Sequence, residues 1–320
     1  VAGGISTGGA GGFASSYFSS SSSNGGAGGD VTGNTVTLTN VTLHGAAGGA
    51  GGTAGPGGAG AAGLAGGSVF GGLSIGGAGG YYFYQGGDAT ASGGAGGNVS
   101  GNQVSIAGKS SISQDIYGGY SQGGAAGAIS NGTALTGQGG LTQNNTITLV
   151  GDQITVAGSI YGGYSANGDG TVNTDATFTS YYQGNTLNLN GYRGTVTGIY
   201  NFEKYNWVLP KNVVNKDVLI TVTNAVQLDH TKHTVAMQND GNRLNAGDTV
   251  TLINKATGTP TLTTAQVQQG HFIIYDASLQ VGADGLVLSI DGKVDNTPTP
   301  AGRINPTSKA FMEGRASAAA

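Results

Sequence analysis

One heptapeptide recurs along this chain and constrains the fold more than any other feature. It occurs as DIYGGYS at 115–121 and SIYGGYS at 159–165, with SVFGGLS at 68–74 as a diverged copy. The aromatic position recurs at Phe70, Tyr117, Tyr161 and Tyr200, at intervals of 47, 44 and 39 residues. Such self-similarity is typical of repeat architectures, in which each unit buries its apolar face only against its neighbours. The sequence therefore predicts a solenoid of stacked rungs.

A strand-like run that opens with Asn accompanies each repeat. In these runs apolar residues alternate with polar ones, as Ile147 and Leu149 do against Thr146 and Thr148. This period of two is the signature of a half-buried strand, so we expect an all-β fold. The runs are GNTVTLTN from Gly33, GNQVSIAG from Gly101, NNTITLVG from Asn144 and GNTLNLNG from Gly184.

The heptapeptide is predicted to be a solenoid corner, with its Ile pointing inward. The paired glycines would supply the positive φ angles of a tight turn, so they are expected to be structural. The tyrosines could stack from rung to rung, and this row allows two interpretations. Packing between repeats is the more common use of such aromatics, whereas a ladder for sugar rings would make Tyr120 and Tyr164 contact residues. The structural glycines are Gly118, Gly119, Gly162 and Gly163.

Two further segments interrupt the repeats. The insert at 45–67 contains almost nothing large enough to bury, so it should form a loop or a glycine-rich layer leaning on the solenoid. The second, YYFYQGG at 81–87, has four consecutive aromatics that cannot all face one side of a strand. They either cover an insert or form an exposed contact patch. We therefore include Tyr81, Tyr82, Phe83 and Tyr84 among the candidate contact residues.

Composition argues against several classes of partner and cofactor. The 320 residues include no Cys, which excludes disulfides and thiolate metal sites. Only 9% of residues are charged and the net charge is -4, so no basic patch for nucleic acid is expected.

Two segments partly resemble metal sites. GGAGGDVTGN, which contains Asp30, partly matches a calcium-binding nonapeptide, but its copies are not in tandem and Asn98 replaces the Asp in the second. His230 and His233 lie three positions apart and would diverge in a strand, which favours a solvated loop beside Asp229. We therefore expect no metal and no cofactor.

Catalytic chemistry has little support in the sequence. A β-helix enzyme that cleaves acidic polysaccharide usually needs clustered carboxylates and a basic residue. Residues 1–202 offer six scattered Asp together with Lys109 and Arg193, which is poor material for such a site. A non-catalytic protein is the expectation.

Composition also divides the chain into three segments. Residues 1–202 hold 56 of the 65 Gly, whereas 203–296 are dense in β-branched and large apolar residues. The second segment is predicted to be a strand-rich cap, with Trp207 buried at its entrance to seal the solenoid. Residues 297–320 are predicted to be a linker followed by a short helix.

Three stretches resemble the passenger region of monomeric, type V bacterial autotransporters. They are the GN-x-V-x-L and IYGGYS rungs, GNTLNLNGYRGTVTGIYNFEKYNWVLP at 184–210, and SKAFMEGRASAAA near the end. The resemblance implies a right-handed parallel β-helix exported with the help of its own C-terminal outer-membrane barrel, which this chain does not contain. It also implies that 203–296 act as an autochaperone-like folding nucleus.

The function implied by this resemblance is that of a secreted adhesin or display module at the bacterial cell surface. Its expected partners are a glycan or protein of a host or neighbouring cell, or a second copy of itself. Two alternatives remain open: a polysaccharide-processing β-helix enzyme and a structural glycine-rich surface stalk or coat. A groove lined by Asp and a basic residue would favour the enzyme. Ordered glycine-rich segments packed on each other without a pocket would favour the coat.

Overall fold

The computed structural model describes residues 1–11, 14–16, 21–44, 66–80, 82–84, 89–129, 132–238, 240–262, 266–269 and 273–294. Within these ranges the chain forms strands and no helix. Most of the predicted insert at 45–67, the aromatic Tyr81 and the predicted linker and helix at 297–320 lie outside the described residues.

The strands follow one another in this order: β1 (Ile5–Thr7), β2 (Ala14–Ser16), β3 (Ser21–Ser22), β4 (Val31–Thr32), β5 (Thr35–Thr39), β6 (Thr42–Leu43), β7 (Val69–Ile75), β8 (Tyr82–Tyr84), β9 (Ala89–Thr90), β10 (Val99–Ser100), β11 (Gln103–Ala107), β12 (Ser111–Ile112), β13 (Ile116–Gln122), β14 (Thr142–Gln143), β15 (Thr146–Val150), β16 (Thr155–Val156), β17 (Ile160–Ala166), β18 (Thr186–Asn190), β19 (Gly194–Val196), β20 (Ile199–Tyr200), β21 (Lys204–Leu209), β22 (Asp217–Val222), β23 (Val226–Gln227), β24 (Lys232–Met237), β25 (Thr249–Ile253), β26 (Ala256–Thr257), β27 (Thr261–Leu262), β28 (Gln266–Gln269), β29 (Ile273–Gly282) and β30 (Gly285–Val294).

Most of these strands stack in parallel, each above its counterpart in the next repeat. Four stacks run side by side: β4–β10–β14, β5–β11–β15–β18–β21–β24, β6–β12–β16 and β1–β7–β13–β17–β20. Equivalent residues are in register, so Ile106 lies between Leu38 and Leu149. The fold is therefore all-β and mostly parallel, consistent with a solenoid, and the predicted strand runs are confirmed.

The alternation seen in the sequence separates core from surface. Ile147 and Leu149 are fully buried, while Thr146 and Thr148, which alternate with them, are partly exposed. The buried positions join one apolar cluster that extends from Val36 into the C-terminal strands. Since each rung covers the apolar side chains of its neighbour, stacking itself supplies the burial that stabilises the fold.

The Asn that opens each strand run forms a buried ladder. Asn145 Oδ1 accepts hydrogen bonds from both the backbone N, at 3.1 Å, and Nδ2, at 3.0 Å, of Asn102. Asn185 accepts from Asn145 in the same way, and Asn102 from Asn34. The ladder pairs polar groups that burial would otherwise leave without partners, which explains why each repeat has an Asn there.

The heptapeptide forms a strand and not the predicted corner. Ile116 points inward as expected, but the glycine pairs lie within β13 and β17 and are not among the residues with positive φ. Glycine is required there because the strand approaches its neighbours closely. A Cβ on Gly118 would lie 2.5 Å from Gly162 O, and one on Gly119 would lie 2.7 Å from Asn145 Nδ2.

Beyond the heptapeptides, glycine-rich segments form two layers. The first layer contains 8–11, 76–80 and 123–127, and the second contains 25–29, 93–97 and 137–140. Gly76 N donates at 2.8 Å to the carbonyl oxygen of Gln122, which precedes the segment 123–127 of its own layer, and Gly77 N donates to Gly26 O of the other layer at 2.8 Å. Gly79 N again donates to its own layer, to Ala125 O, so the direction of donation repeats every three residues. Three residues per turn is the period of polyproline II conformation.

The layers can approach this closely because their facing positions lack Cβ atoms. A Cβ on Gly76 would overlap the carbonyl oxygen of Gly94 in the other layer, and one on Gly124 would overlap that of Gly77 in the preceding rung of its own layer. In the second layer the third position of the GGxGG pattern is exposed, at Ala27, Ala95 and Gln138.

The Ser of the heptapeptide attaches these layers to the strands. Ser121 is fully buried, donates to Gly97 O at 2.8 Å and accepts from Gly140 N at 2.8 Å. Ser74 makes the equivalent pair of bonds with Gly29 and Gly97. Each hydroxyl therefore bridges two successive rungs of the second glycine-rich layer.

The C-terminal strands join two parallel stacks into one sheet. β28, β29 and β30 are antiparallel and connect β24, the end of one stack, with β25, the end of the stack β19–β22–β25. The compositional border near residue 202 does not interrupt the sheet, because β21 pairs in register with β18. The last strands of the two stacks, β24 and β25, are thus each paired with a strand of the antiparallel group.

Trp207 is buried as predicted, and His233 is buried with it. Trp207 Nε1 donates to His233 Nδ1 at 3.2 Å, and His233 Nε2 lies 2.9 Å from Thr231 Oγ1, which itself donates to Leu228 O. The imidazole ring of His233 stacks on the ring of Tyr205, with centroids 4.7 Å apart. The predicted solvated loop is therefore wrong for His233, whose strand β24 turns it into the core.

Replacing Gly124 by Ala should lower the free energy of unfolding by about 1–3 kcal/mol, because the packed backbones at Gly124 and at Gly77 cannot move apart to make room for the new methyl group. Equilibrium urea unfolding followed by circular dichroism measures the change. Gly9 occupies the same motif position in the outermost rung, where an added Cβ meets nothing within 4 Å. Gly9→Ala is the matched control and should leave stability nearly unchanged; equal losses in both variants would contradict the close packing of successive glycine-rich rungs.

His233 should make the protein less stable in mild acid. Burial lowers its pKa from 6.5 to about 3, so between these values the unfolded chain binds a proton that the folded chain does not. Stability is complete above pH 6.5 and falls toward pH 3, with a slope of up to about 1.4 kcal/mol per pH unit. Urea unfolding from about pH 7 to about pH 5, where most carboxylates stay ionised, should show this slope. His233→Gln should flatten it, and an unchanged slope would refute the assignment.

Candidate binding site at the end of two aromatic columns

The repeated aromatics form two columns on the stack β1–β7–β13–β17–β20. Phe70, Tyr117, Tyr161 and Tyr200 stack with ring centroids 4.9–5.0 Å apart. Beside them Leu73, Tyr120 and Tyr164 form a second column, in which the tyrosine rings are 5.0 Å apart. Rings of different columns meet edge to face, as Tyr117 and Tyr120 do at 5.3 Å. The predicted stacking of tyrosines from rung to rung is thus present.

Inside the columns, both faces of a ring are covered by the neighbouring side chains of the column. A ring that has a neighbour at about 5 Å on each side offers only its edge to a ligand. Tyr120 is 7% exposed and its hydroxyl donates to Gln122 Oε1 at 2.8 Å. Its surroundings therefore favour a packing role over the predicted contact role.

The last ring of each column lies beside a cavity. Among the described residues, Tyr200 ends the first column and Tyr164 ends the second. A cavity of about 410 Å³ opens there, lined by both rings and by Tyr161. This volume is within the usual range for small-ligand sites, and within the described part of the chain the two last rings each have a stacked aromatic neighbour on one side only.

The loop 172–178 forms one wall of the cavity. Asn173 Nδ2 donates to Ser165 Oγ at 2.9 Å, and Tyr182 OH donates to Asn173 O at 2.5 Å. Phe178 lines the cavity in the left-handed region, with φ of 53°. A bulky residue rarely adopts this conformation, so the surrounding contacts hold it there.

Two carboxylates line the cavity, and a third lies near the columns. Asp175 accepts three backbone N–H groups, from Thr179, Ser180 and Tyr182, at 2.9–3.0 Å. Burial alone would raise the pKa of Asp175, but these hydrogen bonds outweigh it and the pKa is lowered. Asp229, from the turn after β23, accepts from Thr259 N at 2.7 Å.

The third carboxylate, Asp115, influences the rings electrostatically. Burial comes first and the Asp115 charge second in raising the pKa of both Tyr161 and Tyr164. The three ion pairs of the described part of the chain engage other acids: Asp217, Asp240 and Glu203. The end of the aromatic columns is therefore a locally negative environment.

A second cavity of about 340 Å³ is lined by Asp152 and Lys211, among others. It partly matches the groove expected of the enzyme alternative. Lys211, however, pairs with Asp240 at 2.6 Å in an exposed position. A solvated, paired lysine is a weak candidate for proton transfer.

The other predicted contact residues are described only in part. Tyr82, Phe83 and Tyr84 form β8, which pairs in parallel with β2. Tyr81 lies outside the described residues, so the proposal that these four aromatics contact a ligand remains a prediction.

The segments that resembled metal sites have other roles. Asp30 Oδ1 accepts from Asn98 N at 2.7 Å, and Asn98 Oδ1 accepts from Leu141 N at 3.0 Å, so these positions link rungs. His230 is exposed with φ of 60° in the turn before β24, whereas His233 is buried within β24. In the described part of the chain, no group of three His, Cys, Asp or Glu side chains is placed to share a metal ion.

Sequence reasoning did not identify Asp175, Phe178 or Asp229 as site residues. They come from loops outside the repeated motifs, about fifty residues apart, and meet only because the rungs stack. The signal available was Tyr200, whose position in the last, degenerate repeat indicated where the aromatic column ends.

No protein-family model matches the sequence, no curated protein matches it, and no solved structure matches it. Within the described ranges, no helix is long and apolar enough to cross a bilayer.

Proposed function

We propose that this chain is the passenger of a monomeric bacterial autotransporter and acts as a non-catalytic adhesin or display module at the cell surface. In this proposal the stacked sheets form a right-handed parallel β-helix, and 203–296 cap its C-terminal end. The ligand is a glycan of a host or neighbouring cell, held by the last rings of the aromatic columns.

One observation carries the proposal. Tyr164 and Tyr200, the last described rings of their columns, line a cavity of about 410 Å³ on a scaffold of stacked rungs. Aromatic faces with nearby amide and carboxylate groups suit the apolar face and the hydroxyls of a sugar ring. Preorganised rings lose little entropy when a ligand binds, which supports a recognition role.

A second candidate function is that of a structural surface stalk. The observation that favours it is the backbone-to-backbone packing of the glycine-rich layers, which extends from Gly9 to Gly168. The two functions are compatible in one molecule, since a rigid stalk can carry a binding site. The cavity is the feature that a stalk does not need.

Binding of the purified chain to a broad glycan array, and to itself, tests the adhesin proposal. A double variant with Tyr164→Leu and Tyr200→Leu should bind at least tenfold more weakly, because Leu packs in the columns but has no aromatic face. Leu73 already occupies the same column as Tyr164, so the variant should fold.

Tyr181→Leu is the matched control, since Tyr181 is partly exposed but does not line the cavity. It should bind as the parent does. A variant with Ser at Tyr81, Tyr82, Phe83 and Tyr84 tests the other predicted patch. Absence of any glycan binding and of self-association would contradict the adhesin proposal and favour the stalk.

A further inference from the structure

The charge around the cavity narrows the class of ligand. Asp175 and Asp229 line it from two separate loops, and no Lys or Arg is among the described residues that form its walls. The other lining polar groups include the neutral side chains of Asn173, Asn201 and Gln227. A cationic group entering the cavity would meet carboxylates and aromatic rings together.

The aromatic rings favour the same charge. The face of a tyrosine ring is negative, and a cation within about 6 Å of its centre is attracted, more strongly where water is partly excluded. Tyr164 and Tyr200, each stacked among the described residues on an aromatic ring of its column on one side only, line the cavity. An anionic ligand would meet repulsion from both the rings and the carboxylates.

The carboxylates also differ in what they can offer. Both oxygens of Asp175 already accept backbone N–H groups, so this side chain supplies charge and holds the loop. Asp229 uses Oδ1 for Thr259 N, and no hydrogen bond to its Oδ2 is present among the described residues. Asp229 is therefore the carboxylate with an oxygen to offer a ligand.

We propose that this cavity binds a sugar unit with a free, positively charged amino group, as part of an oligosaccharide of the hexosamine type. The inference rests on the proposed function, because the aromatic faces of Tyr164 and Tyr200 hold the sugar ring. Asp229 receives the ammonium group. Asp175 contributes the field and the wall of the cavity.

Two tetrasaccharides that differ only in this group test the proposal. One is the β-1,4-linked tetramer of glucosamine and the other is its fully N-acetylated form, each titrated calorimetrically into the full chain. The glucosamine tetramer should bind at least tenfold more tightly. Raising the salt from about 0.05 M to about 0.5 M should reduce this preference several-fold, since screening weakens charge attraction at a partly open site.

Asp229→Asn keeps the acceptor for Thr259 N and removes the charge, so it should reduce the preference to about threefold or less. Asp284→Asn makes the same change in the exposed turn between β29 and β30, and should leave the preference unaltered. Circular dichroism verifies that both variants fold. A preference that survives in Asp229→Asn would overturn the role of this carboxylate.

Other outcomes separate this inference from the proposed function. In one outcome the acetylated tetramer binds as tightly as the glucosamine tetramer or more tightly, and the double variant Tyr164→Leu, Tyr200→Leu loses this binding. That outcome would overturn the selection for positive charge, while the glycan-binding proposal would stand. Binding of a lysine-rich peptide but of neither tetramer would overturn it in favour of a peptide ligand. Absence of binding to both tetramers and to every glycan of the array would overturn both proposals.

Discussion

The contact between glycine backbones of the two layers sets the geometry on which the other features depend. The two layers donate hydrogen bonds to each other in turn. Gly26 N donates to Gly9 O, Gly77 N to Gly26 O and Gly94 N to Gly77 O, at 2.7–2.8 Å. These bonds need the Cα atoms of facing segments to pass without a Cβ between them. Wherever they form, the rungs have one spacing and one register, and the side chains of the strands stack in that register.

The heptapeptide is explained position by position in this arrangement. In the copy at 115–121, Ile116 fills the core and Tyr117 and Tyr120 enter the two columns. The glycine pair leaves room for the neighbouring rung and for the asparagine ladder. Ser121 bonds to the glycine-rich layer on both sides. These residues therefore pack against repeated elements of neighbouring rungs, so the sequence must recur.

The sequence predicted the parts of the fold that depend on local pattern. Alternation in TITLV at 146–150 is enough to predict a strand, because burial on one face follows directly from a period of two. The asparagine before each strand marked the repeats, although its buried ladder was not foreseen. Burial of Trp207 also followed from its apolar neighbours.

The parts that were missed depend on how distant segments meet. GGAGG has a three-residue period, but glycine carries no hydrophobic signal that would reveal its packing partner. The positive φ predicted for Gly118 and Gly119 was wrong because glycine serves there to remove a side chain. The cavity depends on where the aromatic columns end and on loops 172–178 and 227–229, which no single motif encodes. His233 was misplaced because its burial comes from stacking on Tyr205.

Hydrogen–deuterium exchange of the backbone amides tests most directly whether the glycine-rich segments are hydrogen-bonded layers. The amides of Gly77, Gly94 and Gly124 each donate to a carbonyl of the opposite layer. The account predicts that they exchange as slowly as amides of the central strands β11 and β15. Exchange at the rate of an unstructured glycine segment, with β11 and β15 still protected, would contradict the central claim.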